Sequence, residues 1–220
     1  MPSETLTRAL PLEIGALSAL VVWASISFFA PSLPPAAAPE DLPSQSSPTA
    51  LPGGKISPIF DPSVQFWAPE IRRWAGQYGV DPELVATVMQ IESCGNPQAA
   101  SESGALGLFQ VMPFHFRPGE NALDPETNAR RGLTYLVSDM EQAHGQVALA
   151  LAAYNGGPDR LTQRQDSWPS ETQRYVYWAT GIYQEARPGS DSSPRLLEWQ
   201  EAGGLRLCHQ AAQVLGLPDA

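Results

Sequence analysis

Residues 81–113 read DPELVATVMQIESCGNPQAASESGALGLFQVMP, and the rest of the chain is organised around them. The first part reads as a helix. Asp81 is a good N-cap, Pro82 suits the first helical position, and Glu83 favours the positive helix end. Gly95 and Pro97 stop it. Leu84, Val85 and Val88 make an apolar stripe at helical spacing, and Glu92 falls on that stripe, four residues after Val88. A carboxyl turned toward a core holds its proton to higher pH, as a general acid working near neutrality requires. On the helix alone a plainer reading stands beside this one, a helix-end Glu that reaches solvent or caps a neighbouring backbone group.

The second part, residues 93–113, carries Gly95, Gly104 and Gly107 and then Leu108-Phe109-Gln110-Val111-Met112-Pro113. Such a loop lets backbone approach a ligand closely. Gln110 offers a donor and an acceptor suited to an amide or a sugar hydroxyl. Glu92-Ser93, Asn96-Pro97, Ala99, Ser101, Gly104-Ala105, Gly107-Leu108 and Gln110-Val111-Met112-Pro113 together resemble the catalytic region of the soluble-type lytic transglycosylases. These are lysozyme-like enzymes that cleave the glycan strands of bacterial peptidoglycan. The family usually has Met where this chain has Phe109.

Further along, Asp124-Pro125-Glu126 repeats the N-cap, Pro and acidic pattern and predicts a helix to about His144, with Ala129, Gly132, Leu133, Leu136 and Met140 buried. Asn128, Gly132, Tyr135 and Leu136 continue the resemblance. Residues 146–154 are apolar all round, which predicts a central helix ending at Asn155-Gly156-Gly157. Ala153-Tyr154-Asn155-Gly156 resembles a family signature that lines the substrate groove. Tyr154 either orients the sugar and Glu92 or ties the helix end to the core, and Asn155 either meets substrate or caps the helix. Pro169, Glu171, Thr172, Tyr175 and Val176 resemble a further signature at the start of a helix reaching about Ala186. Glu171 reads equally as a second active-site carboxylate and as a first-turn residue favoured by the helix dipole. The resemblance covers roughly residues 80–185, about half the chain.

Ahead of this region, Arg8 precedes an apolar run from Ile14 to Ala30, expected to be a signal peptide or a retained membrane anchor. Residues 31–63 are rich in Pro, Ala and Ser and are expected to form a disordered linker. The catalytic domain is expected over 64–190, starting with a short helix from Pro69 to Tyr78, and a helical tail packed on it over 191–220. The 220 residues carry a net charge of -10, which argues against a nucleic-acid partner. The three His are scattered and the two Cys lie far apart, so no metal-ligand cluster or cofactor motif is expected. His115 reads as a loop residue before it reads as a catalytic base.

Taken together, the expected fold is all-α, a lysozyme-like helical domain with a substrate groove. The resemblance implies an exported, monomeric enzyme of the periplasm or cell envelope acting on peptidoglycan glycan strands. Glu92 would be acid and then base in forming a 1,6-anhydromuramoyl product. Ser101, Gln110, Met112, Tyr154, Asn155, Glu171 and Tyr175 would position the sugars. A hydrolase on the same fold needs a second carboxylate; Glu102 and Glu120 lie in loops of uncertain geometry. A non-catalytic wall-binding factor is the third reading. Outside the cytoplasm two Cys often pair, so a Cys94–Cys208 disulfide would pin the tail beside the loop.

Overall fold

The computed structural model describes residues 55–186 and 190–218. They form helices α1 (Pro62–Gln65), α2 (Ala68–Tyr78), α3 (Pro82–Ser93), α4 (Pro125–Gln142), α5 (Val147–Gly156), α6 (Ser170–Glu185), α7 (Pro194–Trp199) and α8 (Leu205–Leu215). Among the described residues there is no strand; isolated bridges from Leu106 to Ala100 and to Val111 only crease the loop after α3. The fold is therefore helical, as expected. The apolar run of residues 14–30 and the expected linker up to residue 54 lie outside the described residues.

α3 is the axis of the fold. Asp81 caps it by accepting from the Glu83 N–H at 2.9 Å, and Pro82 opens it. It ends one residue before Gly95, at Cys94, which takes the left-handed conformation with φ 50°. Every residue from Glu83 to Ile91 is buried, because α1, α2, α6 and α8 all pack on it. The sequence suggested an amphipathic α3 and an α5 buried on every side; the enclosed helix is α3. Its polar residues are satisfied inside the protein: Thr87 donates to the Glu83 carbonyl at 2.7 Å, and the Gln90 amide donates to Cys94 Sγ at 3.0 Å. The first turn of α5, Val147 to Leu149, is instead half-exposed, and only Ala150 to Ala153 are buried.

The packed region also begins earlier than Val64. Ile56 and Phe60 enter the core, and the Ser57 N–H donates to both carboxylate oxygens of Glu83 at 3.0 Å. The Asp61 N–H donates to Gln90 Oε1 at 3.0 Å. Residues 55–63 are thus stitched to α3 through backbone donors, so the part of the expected linker that is described belongs to the fold. A Pro- and Ser-rich composition conceals this, since the two apolar anchors suffice once the backbone finds acceptors.

At the other end of the chain, Cys208 on α8 is bonded to Cys94 with a Cα–Cα distance of 4.9 Å. This bond, together with buried Leu196, Trp199 and Ala211, fastens the tail to the end of α3. α5 packs between α4 and α6, which completes the layer facing the loop after α3.

Candidate active site

Glu92 sits in the last turn of α3, where the helix brings it to the mouth of the loop 94–113. It is only partly exposed. Burial pushes its carboxyl up to about 8, the Tyr175 hydroxyl pulls the value down, and the charge of Glu171 pushes it up. The Tyr175 hydroxyl is buried and makes no hydrogen bond in this arrangement, although it lies near enough to Glu92 to favour the charged form. Glu171 is exposed in the first turn of α6. It occupies both roles that its position allows: a residue at the positive helix end and a negative charge felt by Glu92.

The loop is held in place by side chains from α3, α4 and α5. Ser93 donates to the Leu108 carbonyl at 2.8 Å and accepts from the Gly95 N–H at 3.1 Å. Fully buried Asn128 on α4 accepts from the Phe109 N–H at 2.9 Å and donates to the carbonyls of Leu106 and Ala122 at 2.7 and 2.9 Å. Tyr154, in α5, donates to the Phe109 carbonyl at 2.8 Å. Two glycines permit this closeness. A Cβ on Gly107 would stand 2.4 Å from the Asn128 amide, and one on Gly132 would stand 2.6 Å from Phe109 Cβ. Close packing is thus why α4 keeps a glycine in its interior despite its cost of about 1 kcal/mol there.

Of the residues singled out from the sequence, Glu92, Tyr154, Tyr175 and Glu171 come together. Burial raises both tyrosine hydroxyls well above their ordinary value, with the Glu92 charge adding to it. Tyr154 ties the loop to α5 while also facing Glu92, so its two readings are compatible. Gln110 stands in the loop with φ 45°, and its amide nitrogen donates inward to the Gly107 carbonyl at 3.0 Å. Ser101 is occupied in the loop's own turn: its hydroxyl accepts from the Ala105 N–H at 2.9 Å and pairs with Ser103 at 3.0 Å. Met112 and Asn155 are partly exposed, at the loop's exit and in the last turn of α5. Glu102 is exposed. Glu120 is clamped by Arg131 at 2.7 Å and by Arg130 at 3.0 Å, and these bonds, with one from the Arg117 N–H, hold its carboxyl down at about 2. That suits a structural ion pair and not a proton donor. Asp61, Cys94 and Cys208 gather three metal-ligand types, but the two sulfurs are joined in the disulfide.

Sequence reasoning passed over Ser93, Asn128 and Asp139. Asn128 carried a signal, an amide among the apolar positions of α4. Asp139 carried one too, four residues after Tyr135. It is 1% exposed, neither carboxyl oxygen has a hydrogen-bond partner, and burial pushes it up to about 7.

The family model described as the transglycosylase SLT domain matches residues 69–176. A transglycosylase of Enterobacteria phage PRD1 is 39% identical over 115 residues, 51% of this chain and 41% of that protein. The membrane-bound lytic murein transglycosylase C of Photorhabdus laumondii is 35% identical over 117 residues, 44% of this chain and 33% of that protein. The chain therefore spans less than half the length of these curated relatives. An inactive mutant of the lytic transglycosylase Slt from Pseudomonas aeruginosa aligns with a TM-score of 0.42 at 24% identity, over 67% of this chain and 24% of that one.

Proposed function

The chain belongs to the transglycosylase SLT domain family through residues 69–176, and from that membership we propose that it is a peptidoglycan lytic transglycosylase with Glu92 as its catalytic acid. The observation that carries this reading is the state of Glu92: a carboxyl at the groove, kept protonated to about pH 8 by burial, facing an unpartnered tyrosine hydroxyl.

Cleaving a glycosidic bond requires a proton for the leaving oxygen and support for an oxocarbenium-like centre. Glu92 gives its proton to the oxygen bridging N-acetylmuramic acid and N-acetylglucosamine, and the bond from that oxygen to the muramoyl C1 breaks. The substrate's own N-acetyl group supports the cation. The Glu92 carboxylate, favoured at that moment by the Tyr175 hydroxyl, takes the proton of the muramoyl 6-hydroxyl as its oxygen bonds to C1. A 1,6-anhydro product leaves, no water is consumed, and Glu92 ends protonated for the next cycle. The loop held by Asn128, Ser93 and Tyr154 fixes the wall along which Gln110 and Met112 meet the sugars, while Ser101 shapes its turn and Asn155 flanks it from α5.

One observation favours a second reading. Glu171 is close enough to act on Glu92, and in a hydrolase such a carboxylate would serve a water molecule. Mass spectrometry of the soluble products from purified peptidoglycan separates the two. Products one water lighter than hydrolysis products, absent with Glu92→Gln, establish the transglycosylase; reducing ends of full mass establish the hydrolase.

The same reading places the protein in the cell envelope, with residues 14–30 as export signal or inner-membrane anchor. Among the described residues no helix is long and apolar enough to cross a membrane. The Cys94–Cys208 disulfide supports an oxidising compartment. N-terminal sequencing of the mature protein checks this, since a start beyond Ala30 removes the anchor.

A further inference from the structure

We propose that Phe114, His115 and Tyr135 form an aromatic wall that receives the apolar face of a sugar ring of the glycan strand, outside the pair of sugars joined by the bond that Glu92 cleaves. This rests on the lytic transglycosylase reading and adds a binding element to it.

Phe114 is 75% exposed, more than the other exposed large hydrophobic residues of the described chain. It is held rigidly. Pro113 opens the short 3₁₀ turn Pro113–His115, and the His115 N–H closes it on the Met112 carbonyl at 3.0 Å. The ring continues inward through others. Phe114 and His115 centroids lie 4.4 Å apart, His115 and Tyr135 4.8 Å, and Tyr135 and Tyr154 5.6 Å. All three pairs are tilted, at 46°, 41° and 46°, so the rings turn gradually along a continuous wall. Its inner end is Tyr154, fixed to the Phe109 carbonyl and acted on by Glu92. An apolar surface therefore runs unbroken from solvent to the catalytic acid.

A sugar ring suits this surface. It has an apolar face of C–H groups and a rim of hydroxyls, and aromatic rings with one polar tip bury the first while leaving the second in water. His115 contributes as a neutral ring, because burial lowers its pKa below the ordinary 6.5. A lone exposed aromatic residue is unremarkable on a protein surface. What sets Phe114 apart is its continuity with the site. The surroundings also match a strand and not a dry protein interface, since Arg117, Pro118 and Gly119 next to the turn are exposed.

The test uses the full chain carrying Glu92→Gln, so that strands bind without being cut. The probe is purified peptidoglycan glycan strands freed of their stem peptides, titrated calorimetrically. Adding Phe114→Ala is expected to weaken binding about three- to tenfold, the range for one aromatic contact. Phe114→Trp is expected to restore it, with melting temperatures unchanged because the side chain lies outside the core. On the Glu92 enzyme, Phe114→Ala is expected to raise KM and leave kcat nearly constant. Unchanged strand affinity in Phe114→Ala overturns the wall and leaves the catalytic reading standing. Failure of the Glu92→Gln protein to bind strands, together with no anhydro product from the parent, overturns both.

Discussion

The hydroxyl of Tyr154 donates to the carbonyl of Phe109 at 2.8 Å, so the helix that closes the groove and the loop that forms its wall are joined by one hydrogen bond next to the catalytic acid. Tyr154→Phe keeps the ring and removes the bond, leaving a buried carbonyl unpaired. A loss of roughly 1–3 kcal/mol in unfolding free energy is expected. Turnover is expected to fall further than stability explains, because the loop then wanders near Glu92. Denaturant unfolding beside product release from peptidoglycan checks both; a variant as stable and as active as the parent would remove the bond from the account.

Glu92 must be protonated to act, so activity is expected to decline as pH rises through about 8. The two neighbours move that limb in opposite directions. Tyr175 favours the carboxylate, so Tyr175→Phe is expected to shift the alkaline limb upward. Glu171 disfavours it, so Glu171→Gln is expected to shift the limb downward. A profile of kcat against pH for the three proteins decides, and limbs that stay in place would mean that another group sets them.

Asp139 makes a separate prediction about stability. Its folded value of about 7 stands above the ordinary carboxylate value, so the folded state holds this proton more tightly than the unfolded chain. Its contribution is complete at about pH 4 and is lost as pH rises through about 7. Above that, a buried charge without a partner remains. Asp139→Leu is expected to stabilise the protein at pH 8 by roughly 1–3 kcal/mol and to give no gain at pH 4. Melting temperatures at the two pH values check it; an equal effect at both would show that packing and not ionisation is responsible.

The Cys94–Cys208 bond closes a span of 114 residues. Cys208→Ser is expected to lower stability by about 2–5 kcal/mol. Thiol titration of the denatured, unreduced protein is expected to find no free thiol. Two thiols would mean that α8 is held by packing alone.

Glu92 was legible in the sequence because an acid four residues after Val88 on an apolar stripe has few places to go but inward. The caps of α3 and α4 were legible for a similarly local reason: Asp-Pro-Glu carries its own instructions. The enclosure of α3 was not. Thr87, Gln90 and Ser93 look like a solvated face, and only the fold reveals that their partners are a helix carbonyl, the Asp61 N–H and a cysteine sulfur, and the loop carbonyl of Leu108. Asn128 was opaque in the same way, since three backbone groups it serves belong to a loop distant in sequence. The role of residues 55–63 was hidden because backbone donors, not side chains, dock them.

That docking has a mechanical consequence. Ser57 grips Glu83 in the first turn of α3, and Glu92 lies nine residues on, about 14 Å along the axis at 1.5 Å per residue. A pull arriving through the chain ahead of Lys55 is received at the end of α3 remote from Glu92. The load passes into a helix wedged on every side, so the carboxyl that must meet a sugar oxygen is shielded from tension on whatever precedes it.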